Sequence, residues 1–180
     1  DVGADGGAAH DHGRLGARRA VLAALALAVA ALAALAPAGA AEAPSQPRLA
    51  FHVDMGEPRR VSSTLFNASS AASHYEGQLV DYDIRLVFQG FGIRYVTEEP
   101  LAGTPYEVPQ ERREAQAELV ERLRSLQDTY DVQVEICRSS MAEVGLGREE
   151  LAVEAKLVPY AVTRLAELQR EQGFAYIKMQ

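Results

Sequence analysis

The chain has 180 residues, 48% of them hydrophobic and 24% charged, the proportions of one ordinary globular domain. Its net charge is −7, lysine is limited to Lys156 and Lys178, and no basic stripe with interleaved aromatics occurs, which excludes a partner gripped through a phosphate backbone. Cys137 is the only cysteine, so an internal disulfide is excluded as well.

Residues 1–13 are mostly Gly, Ala, Asp and His without periodicity, and the chain opens on Asp1, as a reading-frame extension or a fragment boundary would. Arg14, Arg18 and Arg19 then precede an apolar run from Ala20 to Ala36, followed by Pro37 and Ala38-Gly39-Ala40-Ala41. Positive flank, apolar stretch and a small-residue A-x-A site in that order describe a secretory signal peptide cut near Ala40, hence a periplasmic protein without a lasting membrane anchor. An uncleaved anchor is the alternative, at the short limit for a spanning helix. Arg18-Arg19 hints at twin-arginine export, although the polar and aromatic residues usual around that pair are missing. Three domain regions follow: an extension and signal over 1–40, a polar linker over 41–47 and a folded unit over 48–180.

Arg48 to Asp54 is nearly continuous in apolar character, as expected of a parallel strand covered on both faces. Gly56, Glu57 and Pro58 make the turn into a helix whose stripe is Val61, Leu65, Ala68, Ala72 and Tyr75, ending near Gly77. The second strand spans Tyr82 to Gln89, with Tyr82, Ile84, Leu86 and Phe88 on one face. It ends in Gly90-Phe91-Gly92, which lacks the third glycine of a dinucleotide fingerprint and reads as a turn allowing close backbone approach. Thr97 to Gln110 carries Pro100, Pro105 and Pro109 without periodicity and is expected to be a solvated surface loop. A helix over Glu111 to Gln127 follows, with Leu119, Val120, Leu123 and Leu126 inward.

Val132, Val134 and Ile136 then alternate with Gln133, Glu135 and Cys137, so that Cys137 closes a strand. Ser139 and Ser140 are good helix caps ahead of a short helix stopped by Gly145. A thiol at this junction, beside Arg138 and facing a helix N-terminus, would favour the thiolate. As a bland alternative, cysteine is among the most buried residue types and serves as a small apolar filler. Val153 to Val158 reads as a strand, Ala161 to Gln172 as a helix with Val162, Leu165 and Leu168 inward, and Phe174 to Met179 as the last strand. Strands alternating with helices predict an α/β fold: a three-layer α/β/α sandwich with a mainly parallel sheet of about five strands.

Few chemistries fit these residues. His52 and His74 have no close His or Cys spacing, so no metal and no cofactor is expected. His52, inside a strand, reads as a satisfied core histidine. Asp54 would share a crevice with Cys137 if their strands were neighbours, and Gly90 would let backbone approach there. The candidate set is Cys137 as the reactive group, with Asp54, Gly90, Arg138, Ser139 and Ser140 as binding residues.

Phe51-His52-Val53-Asp54, the helix with Leu65-Phe66-Asn67, the strand ending at Gly90, Cys137 with Ser139 and Ser140, and the terminal Gly173-Phe174-Ala175-Tyr176-Ile177-Lys178 together resemble the DsrE/DsrF-like family over about residues 48–179. That resemblance implies a small α/β/α sandwich assembling as a homo-oligomer, a trimer or hexamer, with a persulfide carried on Cys137 and exchanged with a sulfur donor or acceptor protein. Relay members tend to carry an Ala and an Arg-Gly pair soon after the cysteine, where this chain reads Met141-Ala142-Glu143-Val144-Gly145. Two functions follow: an exported sulfur carrier or sulfurtransferase-like protein using Cys137, or a non-catalytic oligomeric domain that binds a small ligand or serves as a scaffold.

Overall fold

The structure is a computed structural model in which residues 46–179 are described. The signal-like segment and Asp1–Ser45 as a whole lie outside the described residues. Five strands are joined by helices in the order β1 (Arg48–Val53), α1 (Pro58–Gly77), β2 (Asp83–Phe88), α2 (Arg113–Tyr130), β3 (Gln133–Cys137), α3 (Arg138–Glu143), β4 (Lys156–Val158), α4 (Ala161–Gln172) and β5 (Ala175–Ile177). All pairings are parallel, and the sheet order is β4-β3-β2-β1-β5.

Period-two alternation sorts each strand between two cores. Phe51, Val53, Ile84, Leu86, Phe88, Val134 and Ile136 pack with Val61, Leu65 and Ala68 of α1 and Leu119 and Leu123 of α2. The opposite side chains Ala50, Val87 and Cys137 pack with Ala161, Leu165 and Leu168 of α4 and with Phe174. Two helices therefore cover one face and α4 the other, the three-layer arrangement expected. Connections β1 to β4 step across the sheet in one direction, and α4 carries the chain back over the opposite face, as right-handed crossovers require.

Pro58 occupies the start of α1, where a missing N–H costs nothing, and Gly173 ends α4 at φ +70°. Three local expectations change. Only Lys156–Val158 of the Val153–Val158 stretch forms a strand. Val162 is 66% exposed, and Arg164 turns inward in its place because a carboxylate waits for it beneath α4. The 97–110 segment is a strap instead of a solvated loop: Leu101, Tyr106 and Val108 are buried, and the buried Gln116 amide donates to the carbonyls of Arg94, Thr97 and Glu99.

Candidate functional site

Cys137 ends β3, a central strand, at the sheet edge where parallel α/β proteins bind ligands. Its side chain is turned down onto the α4 face and is only 4% exposed. It belongs to one apolar cluster with Ala50, Val87, Ala161, Leu165, Leu168 and Phe174, drawn from β1, β2, α4 and the loop before β5. The thiol's polar contact is a donation to the Pro159 carbonyl at 3.8 Å. The same carbonyl accepts from the Ser139 N–H at 3.4 Å.

The serines do not cap α3. Cys137 itself holds the cap position with no side-chain capping bond, since the backbone leaves the strand directly into the helix. Ser140 is buried in α3, and its Oγ accepts from the Gly90 N–H at 3.0 Å, tying the end of β2 to the start of α3. Gly90 holds φ +51°, a left-handed turn that glycine adopts without steric cost. Arg138 and Ser139 are exposed and are not members of the apolar cluster around Cys137. The strap is fastened over this end of the sheet: Tyr106 Oη donates to Glu143 of α3 at 2.5 Å, and burial with that carboxylate pushes the Tyr106 phenol up to about 12. Arg94 donates to the carbonyls of Tyr106 and Glu107 at 2.8 and 2.6 Å and lies over the Phe91 ring, 4.7 Å from its centroid.

Asp54 does not join Cys137. Strand β2 lies between β1 and β3, and Asp54 instead pairs with Lys178 just beyond β5. The sequence could not place β5 beside β1, so Tyr176 and Lys178 were missed as partners of His52 and Asp54. Their one visible signal is the alternation Tyr176-Ile177-Lys178, which puts both polar tips on one face.

Together these residues form a polar cluster at the carboxyl ends of β1 and β5. His52, 9% exposed, has Nδ1 at 2.9 Å from Tyr176 Oη and Nε2 at 2.7 Å from the Gln89 amide nitrogen. Asp54 Oδ2 lies 3.8 Å from His52 Nε2, outside hydrogen-bond reach. Burial, reinforced by the Lys178 charge, holds His52 below its ordinary value against the pull of Asp54. Burial pushes the Asp54 carboxyl up, but the Lys178 hydrogen bond and the His52 and Lys178 charges outweigh it and hold Asp54 below the usual carboxylate range.

Both shifts carry the same sign for stability. The unfolded chain binds a proton on His52 more readily than the folded one, so this contribution is complete above the unfolded value near 6.5 and is lost as pH falls through the lower folded value. Asp54 adds a second loss further into acid, as pH falls from 3.8 through its folded value. The urea midpoint should drop between about pH 7 and pH 5, and His52→Gln should flatten that part of the curve. An unchanged slope in the variant would contradict the assignment.

Among the described residues no group of three or more His, Cys, Asp and Glu side chains converges as a metal site would require, and no helix is long and apolar enough to cross a membrane. Residues 49–179 match the model of the DsrE/DsrF-like family. No curated protein matches the chain. Among solved structures, a protein of unknown function from Methanobacterium thermoautotrophicum aligns over 74% of this chain and 99% of its own at 18% identity, with a TM-score of 0.54. At that identity the likeness concerns the fold alone.

Proposed function

The chain belongs to the DsrE/DsrF-like family, and from that premise we propose that it is an exported, oligomeric member that binds a small polar ligand at the carboxyl ends of β1 and β5, with Cys137 a packed thiol. The observation that carries this reading is a contrast of exposure. Cys137 is enclosed by apolar side chains, while Asp54, Tyr176 and Lys178 gather solvent-reached polar atoms around the buried His52 ring where the strand order reverses. In open α/β sheets that reversal is where ligands bind.

A second reading, sulfur carriage, is favoured by one observation: Cys137 terminates a central parallel strand at the position the family resemblance matches to a sulfur-bearing cysteine. In that chemistry the Cys137 sulfur would attack a terminal sulfur of a polysulfide, forming a new S–S bond and releasing the shortened polysulfide with the electron pair of the broken bond. Weighing the intact reduced protein after incubation with polysulfide separates the two. We expect no mass gained by wild type or by Cys137→Ser, each compared with its own untreated form after desalting. Sulfur added to wild type alone would install Cys137 as a carrier and remove the packed-thiol reading.

Export rests on the arginine flank, apolar run and A-x-A site of residues 14–40, and assembly as a trimer or hexamer rests on the family resemblance. Envelope material should begin near Ala41 and scatter light as a multiple of the protomer mass. A start upstream of Arg14, or a stable monomer, would contradict these two assignments.

A further inference from the structure

We infer that the cluster at the ends of β1 and β5 is a site for a small oxyanion, a carboxylate or a tetrahedral inorganic anion, received by the Tyr176 hydroxyl and the Lys178 ammonium. The inference rests on the ligand-binding reading above and names the chemistry of its ligand.

Hydrogen-bond accounting supplies the class of ligand. The Gln89 amide nitrogen can only donate, so with that amide orientation His52 Nε2 accepts and His52 Nδ1–H donates to the Tyr176 oxygen. The Tyr176 hydroxyl proton is then free to point outward from a side chain that is 42% exposed. Lys178 carries three N–H donors, of which Asp54 Oδ1 takes one, and no other acceptor engages it among the described residues. Against these donors and the second Gln89 N–H, the cluster offers two oxygens of its own with no hydrogen-bond donor among the described residues, Asp54 Oδ2 and Gln89 Oε1. Donors exceed acceptors, and the complement is an acceptor-rich group.

Spacing and charge narrow the choice further. Tyr176 in β5 and Lys178 just beyond it stand two residues apart, roughly 6.5–7 Å at a strand's rise, and both reach the same side of β1, at His52 and Asp54. Two hydrogen bonds of about 2.8 Å to different oxygens of one compact group span that gap. Burial and the Asp54 charge push the Tyr176 phenol above its ordinary value, so it remains a donor at neutral pH. Asp54 neutralises Lys178 only from one side, and its carboxylate disfavours an anion too large to stay on the Lys178 and Tyr176 side. The site also has a rigid floor: Ala50 is fully buried beneath His52 on the same face of β1, and α4 covers that lower part of the sheet.

The test titrates acetate, sulfate and phosphate separately into the ¹⁵N-labelled folded chain, against sodium chloride at equal ionic strength, and follows the amides of Tyr176, Ile177 and Lys178. We expect saturable shifts with at least one of the three. Acetate alone would identify a carboxylate ligand, and sulfate or phosphate a tetrahedral one. Tyr176→Phe, which keeps the ring, and Lys178→Gln should each weaken binding about tenfold or more, while Cys137→Ser should bind as wild type does. Shifts no larger than those from chloride, or wild-type affinity in both site variants, would overturn the oxyanion assignment. Failure of the underlying reading would look different, as sulfur gained by Cys137 in the polysulfide experiment.

Discussion

Glu135→Ala should lower stability by about 3–5 kcal/mol, measured as the free energy of urea unfolding near pH 7. Glu135 lies in the middle of β3, 1% exposed, under the helix that covers the smaller core. Its two oxygens accept from Arg164 Nε at 2.5 Å, Arg164 Nη2 at 2.9 Å and Arg85 Nη1 at 2.9 Å. Burial alone would push this carboxyl up, but the two guanidiniums outweigh it and hold it below its ordinary value. Arg85 keeps a bidentate bond to Asp83 and a place over the Phe174 ring when Glu135 is gone. Arg164 keeps only the longer contact to Glu167 at 3.5 Å and is left as a buried, nearly unpaired charge. That orphaned cation, more than the lost attraction, is the cost. Adding Arg164→Leu to Glu135→Ala should therefore recover part of the loss, because a buried pair is expensive to halve and cheap to replace. A loss below about 1 kcal/mol in the single variant would show that α4 is held by its apolar contacts alone.

Gly92→Ala is expected to be the most damaging of the glycine substitutions near the ligand end of the sheet. A Cβ on Gly92 would stand 2.2 Å from the Val53 carbonyl oxygen and 2.9 Å from its carbon, and both are backbone atoms that cannot rotate aside. The same Val53 oxygen accepts the Gln89 N–H at 3.0 Å, so relieving the clash means pulling the 3-10 segment Gly90–Tyr95 off the end of β1. Overpacking of this kind costs about 1–3 kcal/mol, and more where backbone must move. Gly103→Ala is the comparison. Its φ of +72° imposes strain, but an added Cβ meets nothing within 4 Å, so the cost is that of a left-handed alanine, about 1–2 kcal/mol. Equal unfolding midpoints for the two variants would contradict the close approach at Gly92.

What the sequence conveyed well was whatever depends on near neighbours. A continuous apolar run located β1, period-two alternation located β2 and β3, and the stripe Leu119, Val120, Leu123 and Leu126 is buried as its spacing implies. The position of Cys137 at a strand end was legible for the same reason. Its burial was not, because the cover comes from α4, whose packing against β3 is a long-range fact. Arg164 shows the limit most clearly. An arginine at that point of an amphipathic pattern reads as solvent-facing, and only Glu135, 29 residues away, turns it inward while Val162 faces out. The strap over 97–110 escaped notice because its anchors, Arg94 and Gln116, are polar residues bonding to backbone carbonyls, which leave no hydrophobic period. The polar cluster was hidden by topology: nothing in the order of elements tells that the last strand returns to pair with the first.

The most direct test of the packed thiol is the alkylation rate of Cys137 measured across a urea series. If the apolar enclosure by α4 is correct, modification in buffer alone will be far slower than in the unfolded chain, and the rate will rise in step with the unfolded fraction reported by circular dichroism. Cys137 reacting in native buffer as fast as in denaturant would contradict that enclosure and return the chemistry to the end of β3.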